Sequence, residues 1–164
     1  ATALLRSFGA TPASGRYISG LSNTETPLAQ SALRSPTVFN FFRPDYVLPG
    51  ALASAGLVAP EYEITDATYA ISVPNFLRTF VFNAAGTNPD TVVLNLTYEQ
   101  SLVATPSALL DHLNQVMCGG NLTAATRTRV TTMLAALPSN TSTLERAQRA
   151  ILVLATSPDG SVQK

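Results

Sequence analysis

The chain is poor in the residues that carry most recognisable chemistry: its 164 positions hold one cysteine, one histidine, two methionines, no tryptophan and only 12% charged residues. With Cys118 alone, no internal disulfide can form, and the redox compartment is not legible. With His112 alone, a histidine-rich metal site is excluded. A zinc site would need His112 and Cys118 together with carboxylates, and no pair of ligands stands at a familiar spacing. No Asp/Asn ladder of the EF-hand kind is present. The expectation is therefore no metal and no cofactor. The charged share is about half the usual one, so the surface must rely on Ser, Thr, Asn and Gln or be covered in part by other protein. Ten basic and ten acidic residues cancel without forming blocks, which argues against the basic stripe that nucleic acid requires. No run of 18 apolar residues occurs, so no membrane-spanning helix is expected. Also lacking are a Ser–His–Asp spacing, a phosphate-cradling glycine loop and a dinucleotide fingerprint. The chain opens at Ala1 without Met or signal peptide, which reads as a processed, trimmed or fragmentary start.

What is present is a helical pattern, clearest in the last third. Thr105-Pro106 reads as an N-cap with a first-turn proline, followed by Leu109, Leu110, Leu113, Val116 and Met117 at helical spacing and a stop at Gly119-Gly120. Thr123 caps a second helix whose apolar face is Val130, Met133, Leu134 and Leu137, ended by Pro138. Ser142 and Glu145 form a capping box for a third, with Leu144, Ala147, Ile151, Leu154 and Ala155 inward. These signals predict helices over 106–118, 124–137 and 143–156, packed as antiparallel neighbours because the loops between them are short. Upstream, Val73, Phe76, Leu77, Phe80, Val81 and Ala84 give another amphipathic helix, capped near Thr65-Asp66 and ended by Gly86, with a kink or break expected at Pro74. Val92, Leu94, Leu96 and Tyr98 alternate as in extended chain, and Thr97 with Gln100 reads as a capping box opening a short helix. Ala1 to Phe8 looks like the last turns of a helix capped by Gly9. Residues 10–35 read as loop, Pro36–Phe42 as a short helix capped by Ser35, and Ala51–Ala55 as another stopped by Gly56. The fold class is mainly α: an antiparallel helical bundle in the C-terminal half and a loop-rich N-terminal segment. Residues 1–64 are expected to wrap around something and residues 65–164 to form the helical core.

The densest feature is Ser35-Pro-Thr-Val-Phe-Asn-Phe-Phe-Arg-Pro-Asp-Tyr46, where Phe39, Phe41, Phe42 and Tyr46 crowd eight positions. Stacking on sugar rings or on a partner's apolar surface competes here with plain burial, and burial is favoured because aromatics supply the largest apolar area per residue. The best polar group lies beside it: Asn40, Arg43, Asp45, Tyr46, Glu61 and Glu63. Two carboxylates and an arginine suit acid/base work or recognition of a carboxylate or sugar. The plainer reading is an Arg43–Asp45 turn bridge with the Tyr46 hydroxyl on loop backbone. Cys118 sits at the end of its helix, where the dipole disfavours a thiolate, and reads as an inert packed thiol. His112, beside Asp111, reads as a solvated surface histidine rather than a switch. Asn95-Leu-Thr97, Asn121-Leu-Thr123 and Asn140-Thr-Ser142 match the glycosylation sequon, but Thr97, Thr123 and Ser142 each open an expected helix, so capping chemistry is favoured.

The segment Leu28-Ala-Gln-Ser-Ala-Leu-Arg-Ser-Pro-Thr-Val-Phe-Asn-Phe-Phe-Arg-Pro-Asp-Tyr46 resembles the C-terminal part of the bacterial family known as domain of unknown function 1800. Leu57-Val-Ala-Pro-Glu-Tyr62 is similar to its "VAPEF" segment, Cys118-Gly-Gly-Asn-Leu-Thr123 to its helix junction, and Arg149 to Lys164 to its closing pattern. The resemblance implies a mostly helical, exported protein, periplasmic or at the cell surface, several times longer than this chain and often encoded beside a second exported family, domain of unknown function 1501. It implies no catalytic residue. Its partner of first choice is the remainder of its own longer polypeptide, and Gly160, where the family carries an aromatic, predicts a looser docking of the tail. The functional expectation is a structural or interaction module. The alternatives are an exported hydrolase or carbohydrate-binding enzyme with a site near residues 40–46, or a subunit of a surface or membrane-associated assembly.

Overall fold

The computed structural model of the chain describes residues 1–16, 25–31, 33–82 and 88–161. Its α-helices are α1 (Thr2–Ser7), α2 (Glu25–Leu28), α3 (Ala51–Ser54), α4 (Ala67–Phe82), α5 (Thr97–Leu102), α6 (Pro106–Cys118), α7 (Ala124–Ala136), α8 (Thr143–Ala155) and α9 (Pro158–Ser161), with a 3₁₀ turn over Pro60–Ile64. Two compact units divide the chain: residues 1–18 with 77–164, and residues 19–76.

The first unit is the antiparallel helical bundle. Each of α6, α7 and α8 packs against the next, and α8 also meets α5, α6 and α9. α8 can serve as this hub because Ala147 and Ala150, both fully buried, let neighbouring backbones approach, while Ile151 and Leu154 fill the space between them. Leu109, Leu110 and Leu113 of α6 and Val130 of α7 are equally buried, each contributing about 1.5–3 kcal/mol of hydrophobic stabilisation. Leu144, expected inward, is exposed, since it lies in the first turn ahead of the buried stripe. The N-terminal α1 belongs to this unit and packs on α6 through a face with Leu4 and Leu5. Phe8 closes it, and Gly9 turns the chain at φ +52°. Val92, Leu94 and Leu96 are buried in the expected alternation, and Val93 is paired antiparallel with Thr11.

The caps follow the sequence signals with three changes. Thr123 Oγ1 accepts from Thr126 N at 3.3 Å and Ser142 Oγ from Glu145 N at 3.1 Å. The Glu145 side chain does not complete a capping box; it accepts from Arg149 one turn later at 2.6 Å. Thr105 occupies the N-cap of α6 without a side-chain capping bond. At α5 the cap is supplied from upstream, by Asn95 Oδ1, which accepts from both the amide and the hydroxyl of Thr97. α6 ends as foreseen, with Gly119 in the left-handed region at φ +57°. Asn114 then holds the loop, its carbonyl accepting from Gly120 N and its side chain from Leu122 N.

The tail is docked rather than loose. Asp159 of α9 is buried, and its Oδ2 accepts from Thr123 Oγ1 at 2.8 Å and Thr123 N at 3.2 Å, so the end of the chain secures the start of α7. Gly160 permits this because a β-carbon there would lie 2.2 Å from the Leu154 carbonyl oxygen. The small residue is thus what lets the tail seat, which reverses the expectation drawn from its lacking an aromatic ring.

In the second unit, α4 begins at residue 67 with Asp66 Oδ1 accepting from Tyr69 N at 2.9 Å, an N-cap as expected. The helix continues through Pro74 as one element, so the break expected there does not occur. Of its foreseen apolar face, Leu77, Phe80 and Val81, which belong to the first unit, are buried; Ala84 and Gly86 lie outside the described residues. Among the described residues, Ala59 is the only hydrophobic side chain of residues 19–76 that is buried.

Candidate functional site

Residues 36–42 form turns rather than the expected short helix. Thr37 decides this locally: its Oγ1 accepts from Phe39 N at 3.1 Å and its carbonyl from Asn40 N at 3.1 Å. Asn40 then takes a left-handed conformation at φ +70°, which asparagine tolerates better than most residues. Because the segment is not helical, Phe39 and Phe42 do not share a helix face. Phe39 is 58% exposed and Val38 almost wholly so, while Phe41, Phe42 and Tyr46 are half-buried. Of the two ways in which the loop's rings are expected to be buried, against residues 65–85 or against a partner, burial within this chain does not hold for Phe39.

Of the polar residues singled out there, Arg43 is placed differently from the expected Arg43–Asp45 bridge. Glu63 receives it twice: Oε2 from the Arg43 amide at 2.6 Å and Oε1 from Nε at 3.0 Å. This two-point clamp ties the aromatic loop to the 3₁₀ turn at Pro60–Ile64, aided by Ala59 N donating to the Tyr46 carbonyl at 2.8 Å. Asn40, Asp45 and Glu61 are exposed, and the Glu61 carbonyl is used by Thr65 Oγ1. An arginine neutralised by Glu63 holds a loop in place; its charge is already matched.

A second site, in the helical unit, was not visible beforehand. Glu99 on α5 is 4% exposed, and its Oε1 lies 2.7 Å from Nε2 of His112 on α6. Tyr98 meets the imidazole edge-on at 4.8 Å between ring centroids. His112 is therefore a paired, half-buried residue and not the solvated surface histidine expected; the neighbouring Asp111 pairs instead with Arg127 at 2.8 Å. Glu99 and His112 line a recess of about 520 Å³ that also includes Ser7, Phe8, Gly9, Asn95, Thr97, Tyr98 and Ser101. Among the described residues, Glu99 Oε2 is the one buried side-chain oxygen or nitrogen without a hydrogen-bond partner. The available signal was Glu99's register, three residues after Leu96 and three before Leu102, which puts a carboxylate on the inward face of α5.

Cys118 is buried, as expected of a packed thiol. Burial pushes its pKa up, and the nearby Asp159 carboxylate adds to the rise, so it is a poor nucleophile. Among the described residues no group of three or more His, Cys, Asp or Glu is placed to hold a metal, and no helix is long and apolar enough to cross a membrane.

A family model described as protein of unknown function (DUF1800) matches residues 2–160. No curated protein and no solved structure matches the chain.

Proposed function

We propose that this chain, which belongs to the DUF1800 family, is a structural and interaction module whose residues 19–76 dock against the remainder of a longer polypeptide of its own. The observation that carries the reading is where the apolar surface lies. Among the described residues, Leu33, Val38, Phe39, Val47, Leu57, Val58, Tyr62 and Ile71 are exposed in that unit, against Tyr98 and Leu144 in the other. Among its described residues the segment has one buried hydrophobic residue and eight large exposed ones, an apolar surface without a matching core. Soluble surfaces that concentrate apolar side chains in this way belong to interfaces. The low charge fraction points the same way, because charged residues are depleted where protein covers protein.

The choice of occupant rests on the resemblance, which implies members several times longer than this chain. The same resemblance supports placing the protein among exported bacterial ones, periplasmic or at the cell surface. Docking also fits the Arg43–Glu63 clamp, which presets the loop's shape and so reduces the ordering cost of association. The test is a pair of charge substitutions, Val38→Asp and Leu57→Asp, made both in this chain and in the full gene product. In the chain alone each should change stability by less than about 0.5 kcal/mol, as exposed substitutions do. In the full product each should cost more than about 2 kcal/mol, the penalty of burying an unpaired charge. Equal, small effects in both settings would remove the intramolecular occupant. A large effect appearing only with the neighbouring-encoded exported protein would replace it by that partner.

A further inference from the structure

We propose that the recess between the end of α1 and helices α5 and α6 binds a small organic ammonium group, with Glu99 as its counter-ion. The inference is independent of the docking surface, since every residue it uses lies in the helical unit.

The lining presents acceptors. Ser7 Oγ donates its proton to the Val116 carbonyl at 3.1 Å, Thr97 Oγ1 to Asn95 Oδ1 at 2.9 Å, and Ser101 Oγ to the Tyr98 carbonyl at 2.6 Å. With those protons committed, each hydroxyl turns lone pairs toward any occupant. Glu99 adds Oε2, buried and without a hydrogen-bond partner among the described residues. The tautomer of His112 that donates Nε2–H to Glu99 leaves Nδ1 as a further acceptor. No arginine or lysine lines the recess, so a phosphate or carboxylate ligand would meet the Glu99 carboxylate without a permanently charged cation beside it.

A site rich in acceptors, carrying a carboxylate, is matched by a group that only donates. A primary ammonium offers three N–H donors and one positive charge. The exposed Tyr98, which also lines the recess, suits the cation and its apolar stem. Glu99 Oε1 is held by His112 and Oε2 has almost no open surface, so the carboxylate acts on an occupant of the recess through its charge. The volume of about 520 Å³ lies within the range of small-molecule sites.

The single histidine of the chain gives an isolated reporter. Nuclear magnetic resonance of the His112 ring C–H signals is followed while n-propylammonium chloride is added at fixed pH and ionic strength, with n-propanol and sodium propionate as matched probes. The expected result is a saturable shift with n-propylammonium, none with propionate and at most a weak one with n-propanol. Glu99→Gln should weaken the n-propylammonium response about tenfold or more, through loss of the negative charge. Should Glu99→Gln disturb folding, as judged by circular dichroism, Tyr98→Leu at the exposed rim is the second variant, with a several-fold weakening expected. An unmoved His112 signal, or binding undiminished in the folded variants, would overturn the site. Propionate or n-propanol binding as tightly as n-propylammonium would overturn its chemical class.

Discussion

Replacing Gly160 by alanine should undo the seating of the tail. The new β-carbon would sit 2.2 Å from the Leu154 carbonyl oxygen and 2.9 Å from the carbonyl carbon. Non-bonded carbon and oxygen need more than about 3 Å, and both partners are backbone of packed helices, so α9 must move by about 1 Å or lift away. Lifting it withdraws Asp159 from Thr123 and breaks the bonds at 2.8 and 3.2 Å. One is charge-assisted from a hydroxyl and the other satisfies an amide at the helix start, where a lost cap costs about 1 kcal/mol. With strain added, the expected destabilisation is about 2–4 kcal/mol, a fall in Tm of roughly 4–16 °C for a chain of this size. Urea unfolding of Gly160→Ala, Asp159→Ala and the double variant provides the assay. Because either change releases α9, the double variant should cost clearly less than the sum. A Gly160→Ala protein within about 0.5 kcal/mol of the parent, or strict additivity, would refute the reasoning.

Three further outcomes follow from the same geometry. The raised pKa of Cys118, from burial first and Asp159 second, favours the neutral thiol in the folded state. Its contribution is therefore complete below the unfolded thiol's pKa of about 8.5 and is lost as pH rises through the higher folded value; Cys118→Ala should flatten the fall in stability measured by urea titration above that pH. Ile151→Ala, at a fully buried position, should cost about 2–5 kcal/mol, while Leu144→Ala in the same helix should cost less than about 1 kcal/mol because its side chain is partly in solvent; thermal melts distinguish the two. Arg43→Gln, at an exposed ion pair, should cost only about 0–1 kcal/mol in chemical denaturation.

The bundle was legible because its information is local. In α7 and α8 a hydroxyl cap, an apolar stripe and a stop all fall within one segment, and the expected ends stand within one residue of the observed ones. What was not legible depends on residues meeting across the chain. Glu99 and His112 are thirteen positions apart on different helices, and Asp159 reaches back thirty-six positions to Thr123; neither pairing leaves a periodic trace. The Ser35-Pro36 helix signal failed against Thr37, whose hydroxyl and carbonyl close a turn two and three residues on. Arg43 bonded the more distant Glu63 rather than Asp45, because the 3₁₀ turn brings the glutamate to both its amide and its Nε. Burial of the aromatic loop was inferred from composition, and composition does not say which protein supplies the covering surface.

The central claim, that residues 19–76 are completed by the rest of a longer polypeptide, is most directly tested by thiol labelling at Val38→Cys. Cys118 is buried and its thiol pKa raised, so it contributes little background. In this chain the new cysteine should react with a maleimide about as fast as a free thiol, since Val38 is almost fully exposed. In the full gene product the reaction should slow by roughly tenfold or more, because thiol reactivity follows access. Equal rates in the two proteins would contradict the account.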